Sequence, residues 1–238
     1  KNWKNLFSKS LPISDSEQQQ TQFLEELEKA SEVLLIDNAF SNIDQYTKVK
    51  LFSQLKNTVK ERDLVAILAT NNEEEIFSLC DQVVVLSEGY VAQTGTPYEV
   101  YQKPNCVASA RALGRCNLIV SRRITFTNDY ILEFQTLVGE HQLLLDKVPK
   151  SALGAITNNL SLAIRPEHIS ISFGASFPED NLLKAQIVGI EYQGATTRLR
   201  LDASGLLLEA LVLRLVGLNI GDECMVGLPP DRILILKN

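Results

Sequence analysis

The chain has 238 residues, 45% hydrophobic and 22% charged, enough to bury a core and to build two domains. Its net charge of −6 excludes a general nucleic-acid binder, because no excess of Lys and Arg is present to displace counterions from a phosphate backbone. The longest apolar runs, such as 64–69, fall far short of the roughly 20 residues that span a bilayer, and no charged-then-apolar leader opens the sequence, so no direct membrane insertion is expected.

From about residue 20 to 112, strand-like and helical runs alternate. "EVLLIDNAF" reads as a strand, "IDQYTKVKLFSQLKNTVKER" as a helix, "DLVAILATN" as a strand and "NEEEIFSLC" as a short helix. "DQVVVLSEG" and "YVAQTG" follow as strands, then "TPYEVYQKP" as a helix. This order predicts a parallel α/β sheet that ends in a hairpin, with Gly89 of "SEGY" taking a positive φ in the turn. In the helix after Asp44, the residues Val49, Phe52, Leu55 and Val59 are expected to share the face that packs on the sheet. The "NNEEE" run reads as a solvated helix start, with Glu73, Glu74 and Glu75 favoured by the helix dipole.

From about residue 116 the texture changes to short β-type runs separated by turns, including "LSLAIRPEHISIS", "LLKAQIVGIEYQG", "TTRLRLDASG" and "DRILILKN". Such spacing predicts a small barrel or sandwich, with His168 in a strand. The domain boundary is placed near "KPNCVASARALGRCN", giving domains 1–112 and 113–238. No repeat of 20 to 50 residues is visible. The four cysteines, at 80, 106, 116 and 224, form no CxxC pair and read as reduced, mostly buried thiols without a metal. The chain starts at Lys1 and its single methionine is Met225, which predicts a processed, trimmed or partial polypeptide.

"VLLIDNAFSNID" carries the first chemical signal. A buried parallel strand ending in a carboxylate can hold the water shell of a Mg²⁺ ion beside a nucleotide's phosphates. Asp37 fits that role or, more in keeping with strand-end aspartates, a strand-end or helix-capping role. Asp44 likewise starts the next helix or touches a partner's nucleotide.

This segment resembles the Walker B and D-loop region of ABC-transporter ATPases, whose pattern reads like LLLDEPFSALD, at Asp37, Phe40, Ser41 and Asp44. "LVAILATNNEEEIFSLCDQVVVLSEGYVAQTGTPYEVYQKP" resembles the switch-histidine strand and following hairpin of importer ATPases, keeping Gly95, Thr96, Pro97, Glu99, Tyr101 and Pro104. "ISDSEQQQ" begins 24 residues before Asp37, where the family's LSGGQQQ signature falls, and Ser14, Gln18 and Gln19 fit it. "LAIRPEHISIS" and "VGLPPDRILIL" resemble the transport-associated OB-type domain of ferric-iron, sugar, polyamine and sulfate importer ATPases. The fold class implied is α/β, a partial P-loop ABC ATPase core, followed by an all-β OB-like domain.

Departures from the family pattern concentrate at the chemistry. Asn38 stands where the family has a Glu that polarises the attacking water, and an amide cannot take a proton near neutral pH. Asn71 replaces the switch histidine. Asp15 and Ser16 replace the signature glycines and Glu17 its first Gln, which adds repulsion where amide donors are needed. No GxxxxGK[ST] occurs in these 238 residues. Arg165 and Glu167 are the candidates in the β-rich part, with Arg165 forking onto an oxyanion or bridging to Glu167 or Glu191.

The resemblance implies a non-hydrolysing assembly or regulatory component of a solute importer, ferric iron among the solutes, with ATP and Mg²⁺ as the family's cofactors. Its implied place is the cytoplasmic face of the membrane, as a homo- or heterodimer with membrane subunits or a catalytic paralogue. Two alternatives stand beside it. One is a hydrolysing subunit whose phosphate cradle lies upstream, and the other is a stand-alone small-solute or oxyanion module.

Overall fold

The computed structural model describes residues 15–30, 32–126, 131–146, 159–174, 180–213 and 217–236. They fall into two compact units, Lys1–Asp81 and Gln82–Asn238.

The first unit runs α1 (Asp15–Lys29), β1 (Val33–Asp37), α2 (Gln45–Glu61), β2 (Val65–Ala69) and α3 (Glu73–Leu79). Because α2 carries the chain back, β1 and β2 pair in parallel, in register from Val33↔Val65 to Asp37↔Ala69. Leu34 and Ile36 on one face of β1 meet Phe23 and Leu27 of α1 and Leu51, Phe52 and Leu55 of α2. Phe40 sits at the centre, fully buried, with its ring edge-on to Phe23 and Phe52 at 5.0 and 5.1 Å between centroids. Arg62, just past α2, donates to the carbonyls of Leu27, Glu28 and Ala30 and so closes the C-terminal end of α1.

Two expectations need correction here. Val49 is 59% exposed, whereas Leu51, Phe52 and Leu55 are buried together with Lys48. Residue 49 lies about 100° round the helix from residue 48, at the flank of the packed face. Glu75 is buried, not solvated, while Glu73 and Glu74 are exposed. The opposite face of the β1–β2 pair, Val33, Leu35, Val65 and Ile67, is apolar and exposed. Parallel strands are ordinarily apolar on both faces because both are covered.

The second unit begins with the hairpin β3 (Val83–Ser87) and β4 (Tyr90–Gly95). Its turn residues Glu88 and Gly89 have φ of 52° and 83°, the mirror-image turn that matches strand twist. Next come α4 (Pro97–Gln102) and α5 (Val107–Ala112). Thr96 and Glu99 form a reciprocal capping box on α4, with Pro97 in its first turn.

Among the described residues the β-rich part holds ten strands: β5 (Asn117–Phe126), β6 (Ile131–Thr136), β7 (Gln142–Asp146), β8 (Asn159–Ile164), β9 (Ser170–Ser172), β10 (Asn181–Tyr192), β11 (Thr196–Ala203), β12 (Leu206–Leu213), β13 (Glu223–Leu228) and β14 (Leu234–Leu236). They form two five-stranded sheets, β12-β11-β10-β13-β9 and β14-β8-β5-β6-β7, which share one core of inward residues such as Phe134, Leu143, Leu162, Ile187, Leu199 and Val226.

The two sheets are copies. β5, β8, the 3-10 turn Pro166–His168 and β9 recur as β10, β13, the 3-10 turn Pro230–Arg232 and β14, each starting 64 residues later. Each copy gives its last strand away, since β9 pairs with β13 and β14 pairs with β8. Two equivalent buried asparagines complete the exchange. Asn181 donates to Leu144 O and Leu228 O, both at 2.9 Å, and accepts from Leu144 N–H. Asn117 donates to Glu209 O at 2.8 Å and Ile164 O at 3.3 Å, and accepts from Glu209 N–H. His168 thus lies in a 3-10 turn rather than a strand, because the chain must cross between sheets there.

Asn181→Ala is expected to cost about 2–4 kcal/mol in urea unfolding, because a buried N–H and two carbonyls lose their partners. Asn181→Asp should not restore it, since a carboxylate has no N–H to donate. A loss under about 1 kcal/mol for Asn181→Ala would show that the exchange does not need this clamp.

Candidate functional site

The C-terminal ends of β1 and β2 form the first cluster. Asp37 pairs in register with Ala69, and the Asn38 N–H donates to Ala69 O at 3.0 Å, so Asp37, Asn38 and the Thr70–Asn71 step meet at one end of the sheet. Asp37, Asn38 and Asn71 are all exposed. Open α/β sheets bind ligands at this end of their strands. Asn38 has φ of 46°, a left-handed conformation that asparagine tolerates better than most side chains. The residue at 38 therefore answers a backbone demand as well as a chemical one.

Asp44 is the N-cap of α2, accepting the Thr47 N–H at 3.1 Å; hydrogen bonding by Thr47, from its side chain first and its N–H second, holds the Asp44 carboxyl below the ordinary range. Asn72, next to Asn71, caps α3 by accepting from Glu74 and Glu75 N–H. Asp15, Ser16, Glu17 and Gln18 lie in the first turn of α1, with Glu17 and Gln18 exposed; Ser14 lies outside the described residues.

The second cluster lies in the other unit, around Arg165. The residue is 5% exposed; its guanidinium donates from Nη1 to Ala110 O and Arg115 O at 2.9 Å and from Nη2 to Tyr101 O at 3.1 Å, and stacks on the Tyr101 ring at 4.0 Å. The Tyr101 hydroxyl donates to Glu167. Arg165 therefore meets carbonyls from α4, α5 and the segment just before β5, and neither Glu167 nor Glu191 is its partner; Glu191 pairs with Arg198 at 3.1 Å. At the equivalent position of the second copy stands Pro229. The latch belongs to one copy alone. His168, beside it, is pushed below its ordinary pKa by burial, and its Nδ1 has no hydrogen-bond partner among the described residues.

Sequence reasoning did not find Tyr101, Lys48, Glu75 and the paired asparagines as structural anchors. Asn-Leu at 117–118 and again at 181–182 is the one sequence trace of the duplication at the strand starts.

Comparison with known proteins places these features in a class. Residues 162–236 match the TOBE domain family, so the β-rich part is an OB-like domain of that type. The chain is 33% identical over 233 residues to the molybdate/tungstate import ATP-binding protein WtpC of Pyrococcus horikoshii, covering 96% of this chain and 63% of that protein. It is 26% identical to the Fe(3+) ions import ATP-binding protein FbpC 2 of Rhizobium meliloti, over 94% of this chain and 58% of that one. For the maltose/maltodextrin import ATP-binding protein MalK of Mannheimia succiniciproducens the identity is 27%, over 98% and 62%. A solved molybdate-bound structure of the cytoplasmic molybdate-binding protein ModG aligns with 52% of this chain and 96% of its own, at 15% identity and a TM-score of 0.42.

Over nearly its whole length the chain is similar to ABC-importer ATP-binding subunits, and its C-terminal residues 162–236 match the TOBE domain family. It spans 58–63% of the length of these relatives.

Arg165→Met is expected to cost about 3–5 kcal/mol, measured by urea unfolding, because three buried carbonyls lose their donor. Arg165→Lys should recover less than half, since an ammonium cannot reproduce the planar fork. For Asp44, the lowered folded-state pKa means that its charge contributes stability in full above the unfolded value of about 3.9, and that contribution is lost as pH falls through the folded value. In thermal unfolding, the gap between wild type and Asp44→Asn should be constant from about pH 5 to 8 and close in strong acid. A gap that persists in strong acid would show that the charge is not its source.

Proposed function

We propose that this chain is a non-hydrolysing assembly or regulatory component of an ABC-type solute importer. The observation that carries the reading is Asn38 beside Asn71 at the ends of β1 and β2, where the family places its Glu and His. Neither amide can serve as a base near neutral pH.

ATP and Mg²⁺ fit these residues only in part. Asp37 offers an exposed carboxylate suited to a metal's water shell. The Asn38 N–H is already given to Ala69, and the strand ends supply no cation for a triphosphate. Asp15 and Glu17 add negative charge where the signature supplies donors. A triphosphate is therefore not held by these residues alone, and no hydrolytic step is assigned to them.

The solute follows the membrane subunits rather than this chain. The relatives named above are importers of molybdate or tungstate, ferric iron and maltodextrins, and ferric iron is one solute among these. The partners proposed are importer membrane subunits or a catalytic paralogue, at the cytoplasmic face of the membrane. The exposed apolar face of β1–β2 is consistent with a chain that works in an assembly. No helix among the described residues is long and apolar enough to cross a membrane. The stand-alone oxyanion reading finds no support at Arg165, whose guanidinium already serves three carbonyls.

Calorimetry with Mg-ATP tests the nucleotide side. This chain alone is expected to bind more weakly than about 1 mM, with Asn38→Glu and Asn71→His together changing nothing, because neither supplies a phosphate cradle. Micromolar binding by the unaltered chain would overturn the reading.

A further inference from the structure

The starts of α2 and α3 are joined through a buried charge pair. Lys48 is 8% exposed and Glu75 1% exposed, with Lys48 Nζ 3.8 Å from Glu75 Oε1. The other carboxylate oxygen, Glu75 Oε2, accepts from the Thr70 hydroxyl at 2.6 Å. That hydroxyl accepts the Asn72 N–H at 3.0 Å. Asn71 is thus bracketed by two residues that Glu75 holds, directly or through Thr70. On the other side, Lys48 belongs to the helix that Asp44 caps, and its own N–H donates to Asp44 O at 2.9 Å. Outside the buried pair, the Gln45 amide donates to the Glu74 carboxylate, a second tie between the same two helix starts.

A buried ion pair is a poor source of net stability, because removing two charges from water offsets most of their attraction. The best-attested use of such a pair is to fix one arrangement against its neighbours. We propose that Lys48 and Glu75 are positioning residues that lock the Asn71 strand end and the Asp44 cap into one rigid body, so that a displacement at either site is felt at the other. The proposal rests on the family reading of Asp44 and Asn71 as positions that face nucleotide, but the coupling itself requires none. Thr70 makes the link directional: it carries the constraint from the carboxylate to the backbone on both sides of Asn71.

Hydrogen–deuterium exchange of the 238-residue chain without nucleotide tests it. Breaking the tie with Lys48→Met should raise exchange about tenfold at the amides of Asn71 and Asn72 and at Thr47 and Lys48, leaving Leu51 to Leu55 and β1 unchanged. Lys48→Arg should restore wild-type protection at both places. Lys48→Met/Glu75→Leu leaves no unpaired buried charge and keeps the test available if the single variant does not fold. It should loosen the same two segments together. Wild-type exchange around Asn71 in the double variant would overturn the proposal, as would a uniform rise across 15–81, which marks a merely structural pair. Mg-ATP binding measured on the same samples separates the two claims. Paired loosening upholds the coupling whether or not the chain binds nucleotide, and micromolar binding would count against the proposed function alone.

Discussion

The bond from the Asn38 N–H to Ala69 O is the constraint on which the first unit's chemistry depends. It extends the parallel register of β1 and β2 by one residue beyond the last strand pair and fixes Asp37, Asn38 and Asn71 at a common end. To make that bond and still turn toward Phe40, residue 38 takes a left-handed backbone. Phe40 then fills the centre of the helical layer between Phe23 and Phe52. Scaffold and site are separable here: aromatic packing and helix caps hold the first unit together, while residues 38 and 71 at the strand ends are amides.

The second unit follows a different logic. Two copies of one β motif exchange their last strands, so β9 and β14 each complete the other copy's sheet and neither copy is whole by itself. Equivalent asparagines repeat the exchange at the level of side chains. Symmetry is broken at Arg165, where the first copy grips α4 and α5 through backbone carbonyls and the second copy has Pro229. One copy has thus become an anchor for the helices that precede it, and its twin is left without that task. The distinction gives a physical meaning to the Arg-Pro-Glu stretch that its charge pattern did not suggest.

Much of the local structure was legible because its signals are short-range. Alternating apolar runs placed β1 to β4 and the helices between them, and Gly89 after Glu88 marked the turn. The duplication was hidden because its 64-residue offset preserves element order and two asparagines, but few identical residues. The acceptors of Arg165 were hidden for another reason: backbone carbonyls at 101, 110 and 115 leave no trace in side-chain pattern. Glu75 was misjudged because a run of three glutamates looks solvated until α2 is folded against α3 and brings Lys48 to the third. The face of α2 was misplaced at Val49 by spacing alone, and burial of Lys48 moved its centre. At the strand ends, the type and place of Asp37, Asn38 and Asn71 were legible from the family pattern, while the backbone reason for an asparagine at 38 was not.

Inorganic phosphate release from excess Mg-ATP by this chain tests the central claim most directly. The account predicts no release above the protein-free rate, because neither Asn38 nor Asn71 can accept a proton from water near neutral pH and these 238 residues hold no phosphate cradle. Steady release at rates of about 1 s⁻¹ or more, abolished by substituting Asp37, would contradict it and make these strand ends a working catalytic site.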